Sequence, residues 1–88
     1  MLKETITLQN KLGIHVRPAS LIVKIAAKFK SNFYIKKDDV KINGKSIMGV
    51  MMLAAGKDSS LELIFDGVDE EALKKEIISL FNNKFGEE

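Results

Sequence analysis

Gly13-Ile14-His15-Val16-Arg17-Pro18-Ala19-Ser20-Leu21-Ile22-Val23-Lys24-Ile25-Ala26-Ala27-Lys28-Phe29 is where the chain changes its period. Ala19, Ile22, Val23, Ala26 and Phe29 fall on one apolar stripe, while Ser20, Lys24, Lys28 and Lys30 stay mostly outside it. The spacing predicts an amphipathic helix over residues 16–29. Pro18 belongs in its first turn, where a backbone N–H has no intrahelical partner and its loss costs nothing.

On the N-terminal side, Leu2, Glu4, Ile6 and Leu8 alternate with Lys3, Thr5 and Thr7. That is the period of a strand, broken by a loop at Asn10 to Gly13. On the C-terminal side, residues 32–37 predict a strand with Phe33 and Ile35 inward and Tyr34 and Lys36 outward. Asp38-Asp39 turns the chain, and Val40 and Ile42 begin the paired strand, closed by Asn43-Gly44. Ser46 reads as the N-cap of a short helix from Ile47 to about Leu53, weakened by Gly49. Its Met-rich run is apolar on more than one side, so part must face the core and part is left for the surface. Gly56 to Ser59 is loop. Leu61, Leu63 and Phe65 alternate with Glu62, Ile64 and Asp66 in a fourth strand, and Gly67 turns the chain. Asp69 suits an N-cap, Glu70 and Glu71 suit the positive end of a helix dipole, and Val68 and Leu73 are spaced as a hydrophobic staple. Leu73, Ile77, Leu80, Phe81 and Phe85 form the buried stripe of a last helix ending near Lys84. The order β-α-β-β-α-β-α predicts one α+β domain over residues 1–88. It is an open-faced sandwich, with a four-stranded antiparallel sheet and three helices packed on one face.

Composition narrows the function classes. Without Cys there is no disulfide or thiolate metal site, and a single His excludes a multi-histidine zinc site. No metal and no cofactor are expected. An apolar content of 45% fits a globular chain. The opening MLKETITLQNK has no apolar run of a signal peptide, and no stretch approaches the ~18 apolar residues of a spanning helix. A cytoplasmic protein with no membrane insertion is expected. Fourteen basic and 12 acidic residues give a net charge of +2, too balanced to imply nucleic acid. A nucleic-acid module would interleave Lys with aromatics on the sheet, and only Tyr34 could stack there. No Gly-x-Ser-x-Gly elbow marks a serine hydrolase. The acids gather at Asp66, Asp69, Glu70, Glu71, Glu87 and Glu88.

Residues 13–19 hold the only His, the only Arg and the only Pro of the chain, and no Asp or Glu lies between Gln9 and Phe33. The surroundings read as cationic. His15 stands at or just before a helix N-terminus, where free N–H groups and the dipole favour an anion. Arg17 adds a planar, always-charged fork suited to phosphate oxygens. A neutral imidazole nitrogen is a nucleophile, and phosphoryl transfer depends mainly on positioning and electrostatics. The spacing is equally met by a His that only caps a helix beside a solvated Arg. Ser46 stands likewise before a helix with Lys45 adjacent; it suits either a plain N-cap or a phosphate carried there.

At these residues the chain resembles HPr, the histidine-containing phosphocarrier family of the bacterial phosphoenolpyruvate-dependent sugar phosphotransferase system. The pattern Gly-[Ile/Leu]-His-Ala-Arg-Pro-Ala is met by Gly13-Ile14-His15-Val16-Arg17-Pro18-Ala19. The pattern Lys-Ser-[Ile/Leu]-Met-[Gly/Asn]-[Val/Ile/Leu]-Met is met by Lys45-Ser46-Ile47-Met48-Gly49-Val50-Met51. The resemblance implies that enzyme I phosphorylates His15 on Nδ1, that Arg17 stabilises the phosphoryl group, and that enzyme IIA domains of sugar permeases receive it. It implies regulatory phosphorylation of Ser46 by an HPr kinase/phosphorylase, with a catabolite control protein as a further partner. Ile47, Met48 and Met51 would form an apolar docking surface, and a monomer is the expected state. A carrier of a regulatory, nitrogen-type phosphotransfer branch is the alternative. Val16 replaces the common Ala, and Leu12 and Ala54 stand where a small polar residue and Gly are frequent.

Overall fold

The computed structural model describes residues 1–87, so Glu88 lies outside the described residues. The elements are β1 (Leu2–Thr7), α1 (Val16–Ala26), β2 (Asn32–Lys37), β3 (Val40–Asn43), α2 (Ile47–Met52), β4 (Ser60–Asp66) and α3 (Glu70–Asn82), followed by a 3₁₀ turn at Lys84–Gly86. The sheet order is β1-β4-β2-β3, all pairs antiparallel, with Leu2 opposite Phe65, Phe33 opposite Phe65 and Ile35 opposite both Leu63 and Ile42. These registers put the inward residues of neighbouring strands side by side. Phe33 and Phe65 stack with ring centroids 5.2 Å apart. Ala19, Ile22 and Ala26 of α1, Val50 of α2, and Leu73, Ile77 and Phe81 of α3 close over them in one hydrophobic core. The open-faced α+β sandwich expected from the period pattern is the fold observed. No helix among the described residues is long and apolar enough to cross a membrane.

Several boundaries and contacts differ from expectation, each for a local reason. Helix α1 stops at Ala26, not near Phe29. Beyond it, the Lys28 and Phe29 N–H groups bond only three residues back, to the Ile25 and Ala26 carbonyls. The next two N–H groups, of Lys30 and Ser31, are drawn to the Asp69 carboxylate at 2.9 Å each. Asp69 does occupy the N-cap position of α3, but its side chain caps nothing there and instead also takes the Ser31 hydroxyl. The Val68–Leu73 staple does not form. Val68 is 87% exposed, and the turn is held instead by Glu70, whose carboxylate accepts from the Gly67 N–H at 3.1 Å. Ile64, assigned to the open face, is nearly covered because Lys3 and Tyr34 flank it on the two adjacent strands.

Helix α3 ends at Asn82, short of Lys84. Lys84, Phe85 and Gly86 then adopt φ of 55°, 57° and 74°, three left-handed residues in succession. Left-handed backbone costs a residue with a Cβ roughly 1–2 kcal/mol, so something must hold the turn. Phe85 is buried edge-on against Phe81 with centroids 4.9 Å apart, and the Gly86 and Glu87 N–H groups close bonds to Asn83 and Lys84 at 2.9 Å. Phe85 therefore joins the core as expected, but from a turn after the helix. That turn sends the chain back towards the start of α1.

Candidate functional site

The loop after β1 brings His15 to the helix. Gly13 sits at φ +67°, and a Cβ there would lie 2.4 Å from the Ala55 carbonyl, so only glycine fits. Asn10, fully buried, donates its side-chain amide to the Gly13 carbonyl at 2.7 Å, and the Ile14 N–H bonds Ala55 O at 2.9 Å. His15 is the N-cap residue of α1, with extended backbone and no side-chain capping bond. The first intrahelical bond runs from the Ala19 N–H to the His15 carbonyl at 3.0 Å. The N–H groups of Val16 and Arg17 thus stand at the open end of the helix, and Pro18 has none to leave unpaired. The His15 side chain is 38% exposed.

The expectation of purely cationic surroundings is corrected here. The turn after α3 places Glu87 against the site. Its Oε2 lies 2.8 Å from His15 Nε2 and 3.1 Å from Arg17 Nη1, and its Oε1 accepts from the Asn10 amide at 3.0 Å. Donation from Asn10 above all, then from His15 and Arg17, holds this carboxyl below the usual carboxylate range, so it is an anion at neutral pH. An ionised carboxylate can only accept, so His15 Nε2 must carry the proton that joins them. In the neutral ring Nδ1 is then bare. That tautomer follows from the bonding network. Arg17 is also less free than the sequence suggests, since its Nη1 additionally donates to the Phe85 carbonyl at 2.8 Å.

Sequence reasoning named His15 and Arg17 but missed Asn10 and Glu87. No periodicity or local spacing links a tail residue to a loop 77 positions away. An open depression of about 400 Å³ lies beside them, lined by Lys11, Leu12, Arg17 and Glu87.

Ser46 lies elsewhere, at the N-cap of α2, where its hydroxyl accepts from the Gly49 N–H at 3.1 Å. The ammonium of Lys45 does not attend it; it donates to the Phe29 carbonyl at 2.8 Å. Helix α2 turns Val50 into the core and leaves Ile47, Met48 and Met51 exposed, Met48 by 77%. Met52, Val16 and Leu12 are exposed as well, beyond the residues singled out from sequence.

Comparison with known proteins gives a consistent result. The family described as "PTS HPr component phosphorylation site" matches residues 2–83. The chain is 48% identical over 88 residues to the phosphocarrier protein HPr of Treponema pallidum (strain Nichols), covering 100% of both chains. It is 46% identical over 87 residues to the phosphocarrier protein HPr of Neisseria meningitidis serogroup A, covering 99% and 98% of the two chains. The crystal structure of HPr-C-His from Thermoanaerobacter tengcongensis superposes with a TM-score of 0.96 at 44% identity, over 100% and 99% of the two chains.

Proposed function

The chain belongs to the HPr family of phosphotransferase-system phosphocarriers, and from that premise we propose that it takes a phosphoryl group from enzyme I onto Nδ1 of His15 and hands it to enzyme IIA domains of sugar permeases. The single observation that carries the residue assignment is the bond between Nε2 and Glu87, which leaves Nδ1 the bare nitrogen of the residue that opens α1. The Nδ1 lone pair attacks phosphorus, and the bond to the donor breaks with its electrons leaving on the donor. The ring keeps its Nε2 proton and becomes a phosphoimidazolium. Return of the N–P bonding electrons to Nδ1 regenerates the neutral ring when an acceptor takes the group. The open helix N–H groups stabilise charge on the phosphoryl oxygens without having to reorganise, and Arg17 adds its positive charge beside them.

An open depression flanked by exposed apolar side chains suits a phosphoryl group delivered by a protein more than a small molecule enclosed in a pocket. Ile47, Met48 and Met51 form the docking surface in this reading, because flexible Met side chains repack against several partners. Ser46 is the regulatory site, acted on by an HPr kinase/phosphorylase and read by a catabolite control protein. A phosphate there would put ~2− beside that apolar surface and oppose docking. The reading is tested by incubation with phosphoenolpyruvate and enzyme I. Intact mass should rise by one acid-labile phosphoryl group in the wild type and stay unchanged in His15→Ala. Acid-labile phosphate on His15→Ala would refute the site.

A further inference from the structure

We propose that Glu87 is a positioning residue for phosphoryl transfer, anchored by Asn10, which keeps the His15 proton on Nε2 and serves as counter-ion to the phosphorylated ring. The inference rests on the phosphohistidine reading above. It comes from a contact that the family's matched residues, 2–83, do not include.

Both oxygens of Glu87 are engaged, Oε1 by Asn10 and Oε2 by His15 and Arg17, and its side chain is only 18% exposed. Asn10 cannot drift, because it is fully buried and bound at the same time to the Gly13 carbonyl. The left-handed turn at Lys84–Gly86, pinned by buried Phe85 and by Arg17 on the Phe85 carbonyl, fixes where Glu87 arrives. A carboxylate so held has one effect on the ring before transfer and another after it. Before transfer it selects the tautomer whose Nδ1 lone pair is free. After transfer the ring is positive, with phosphorus on Nδ1 and hydrogen on Nε2, and the carboxylate neutralises that charge at the edge away from the phosphoryl group. A carboxylate behind a histidine does the same for the imidazolium in hydrolase triads. Atoms balance throughout: the Nε2 proton stays on the ring, and only the phosphoryl group moves.

The test uses the full-length chain and exploits its single His, whose ring nitrogens give unambiguous nitrogen NMR signals. With the ring neutral, the wild type should show one tautomer, Nε2 protonated and Nδ1 bare. Glu87→Ala should show a mixture of both tautomers. Its loading by enzyme I and phosphoenolpyruvate should be slower by about tenfold, the scale of one lost hydrogen bond to a charged group. Glu87→Gln keeps an acceptor but not the charge. It should retain the tautomer and still load more slowly than wild type, a split that a purely structural role would not produce. An unchanged tautomer in Glu87→Ala, or loading within about twofold of wild type, overturns the proposal. A wild type that takes no phosphoryl group defeats the phosphohistidine reading instead. The two failures are separable, because the nitrogen spectrum needs no phosphate.

Discussion

At the scale of single residues, the chemistry turns on which charges meet at one ring. Arg17 donates to the tail at Phe85 and Glu87, and in the proposed function it is also the fork that meets the phosphoryl oxygens. Its side chain is half exposed, so solvent screens the tail contact and it adds little to the fold. Arg17→Ala is therefore expected to melt within a few degrees of wild type while transfer falls by about 10- to 100-fold, the range for loss of one preorganised donor. Arg17→Lys should also be slow, because an ammonium cannot reproduce the fork. Enzyme I-dependent rates and thermal melts on the same samples check this, and normal transfer with a large loss of stability would contradict it. His15 and Arg17 were legible in the sequence because they are the only residues of their kinds and stand two positions apart. Glu87 was not. Its nearness to His15 depends on three left-handed residues, two of which, Lys84 and Phe85, give no local sign of that conformation.

At the scale of elements, the short helix α2 separates capping from docking. Ser46→Ala removes the hydroxyl that accepts from Gly49 and should cost about 1 kcal/mol of stability, with phosphorylation at His15 unaffected. Ser46→Asp keeps a good capping side chain and adds charge beside Ile47, Met48 and Met51. It should melt close to wild type and be phosphorylated more slowly at limiting enzyme I. An unchanged rate contradicts the regulatory role, and a fall of many degrees contradicts the capping role. Periodicity located β1, β2, β4, α1 and α3 because each has an apolar face to bury, while turn and cap residues located β3 and α2. It failed at ends, where tertiary partners decide. Phe29 continues the stripe of α1, yet the carboxylate of Asp69 captures the N–H groups of Lys30 and Ser31 and the helix does not continue. Val68 matched the spacing of a staple and points to solvent, because the turn before α3 is tied down by polar bonds from Asp69 and Glu70.

At the scale of the whole molecule, two anionic clasps join distant parts of the chain. Asp69 ties the start of α3 to the end of α1, and Glu87 ties the tail to the loop that carries His15. The Ser31 hydroxyl, helped by the Lys30 and Ser31 N–H groups, lowers the Asp69 carboxyl to about 2, and Glu87 is lowered by Asn10 first. Both are depressed relative to the unfolded chain, where carboxylates titrate near 4. Their contribution to stability is complete above that value and is lost as pH falls through the folded values. Thermal melts from about pH 5 down to about pH 2 should show stability declining in that window, with a shallower decline in Asp69→Asn. Equal slopes would mean that Asp69 stabilises no more in the folded chain than in the unfolded one. In the proposed function this fold presents one bare nitrogen, Nδ1 of His15, to a phosphoryl donor. The most direct measurement is nitrogen–phosphorus coupling by NMR in the ¹⁵N-labelled, phosphorylated protein. One phosphorus resonance coupled to Nδ1 is expected, with Nε2 still protonated. Coupling to Nε2, or phosphate with no nitrogen coupling, would contradict it.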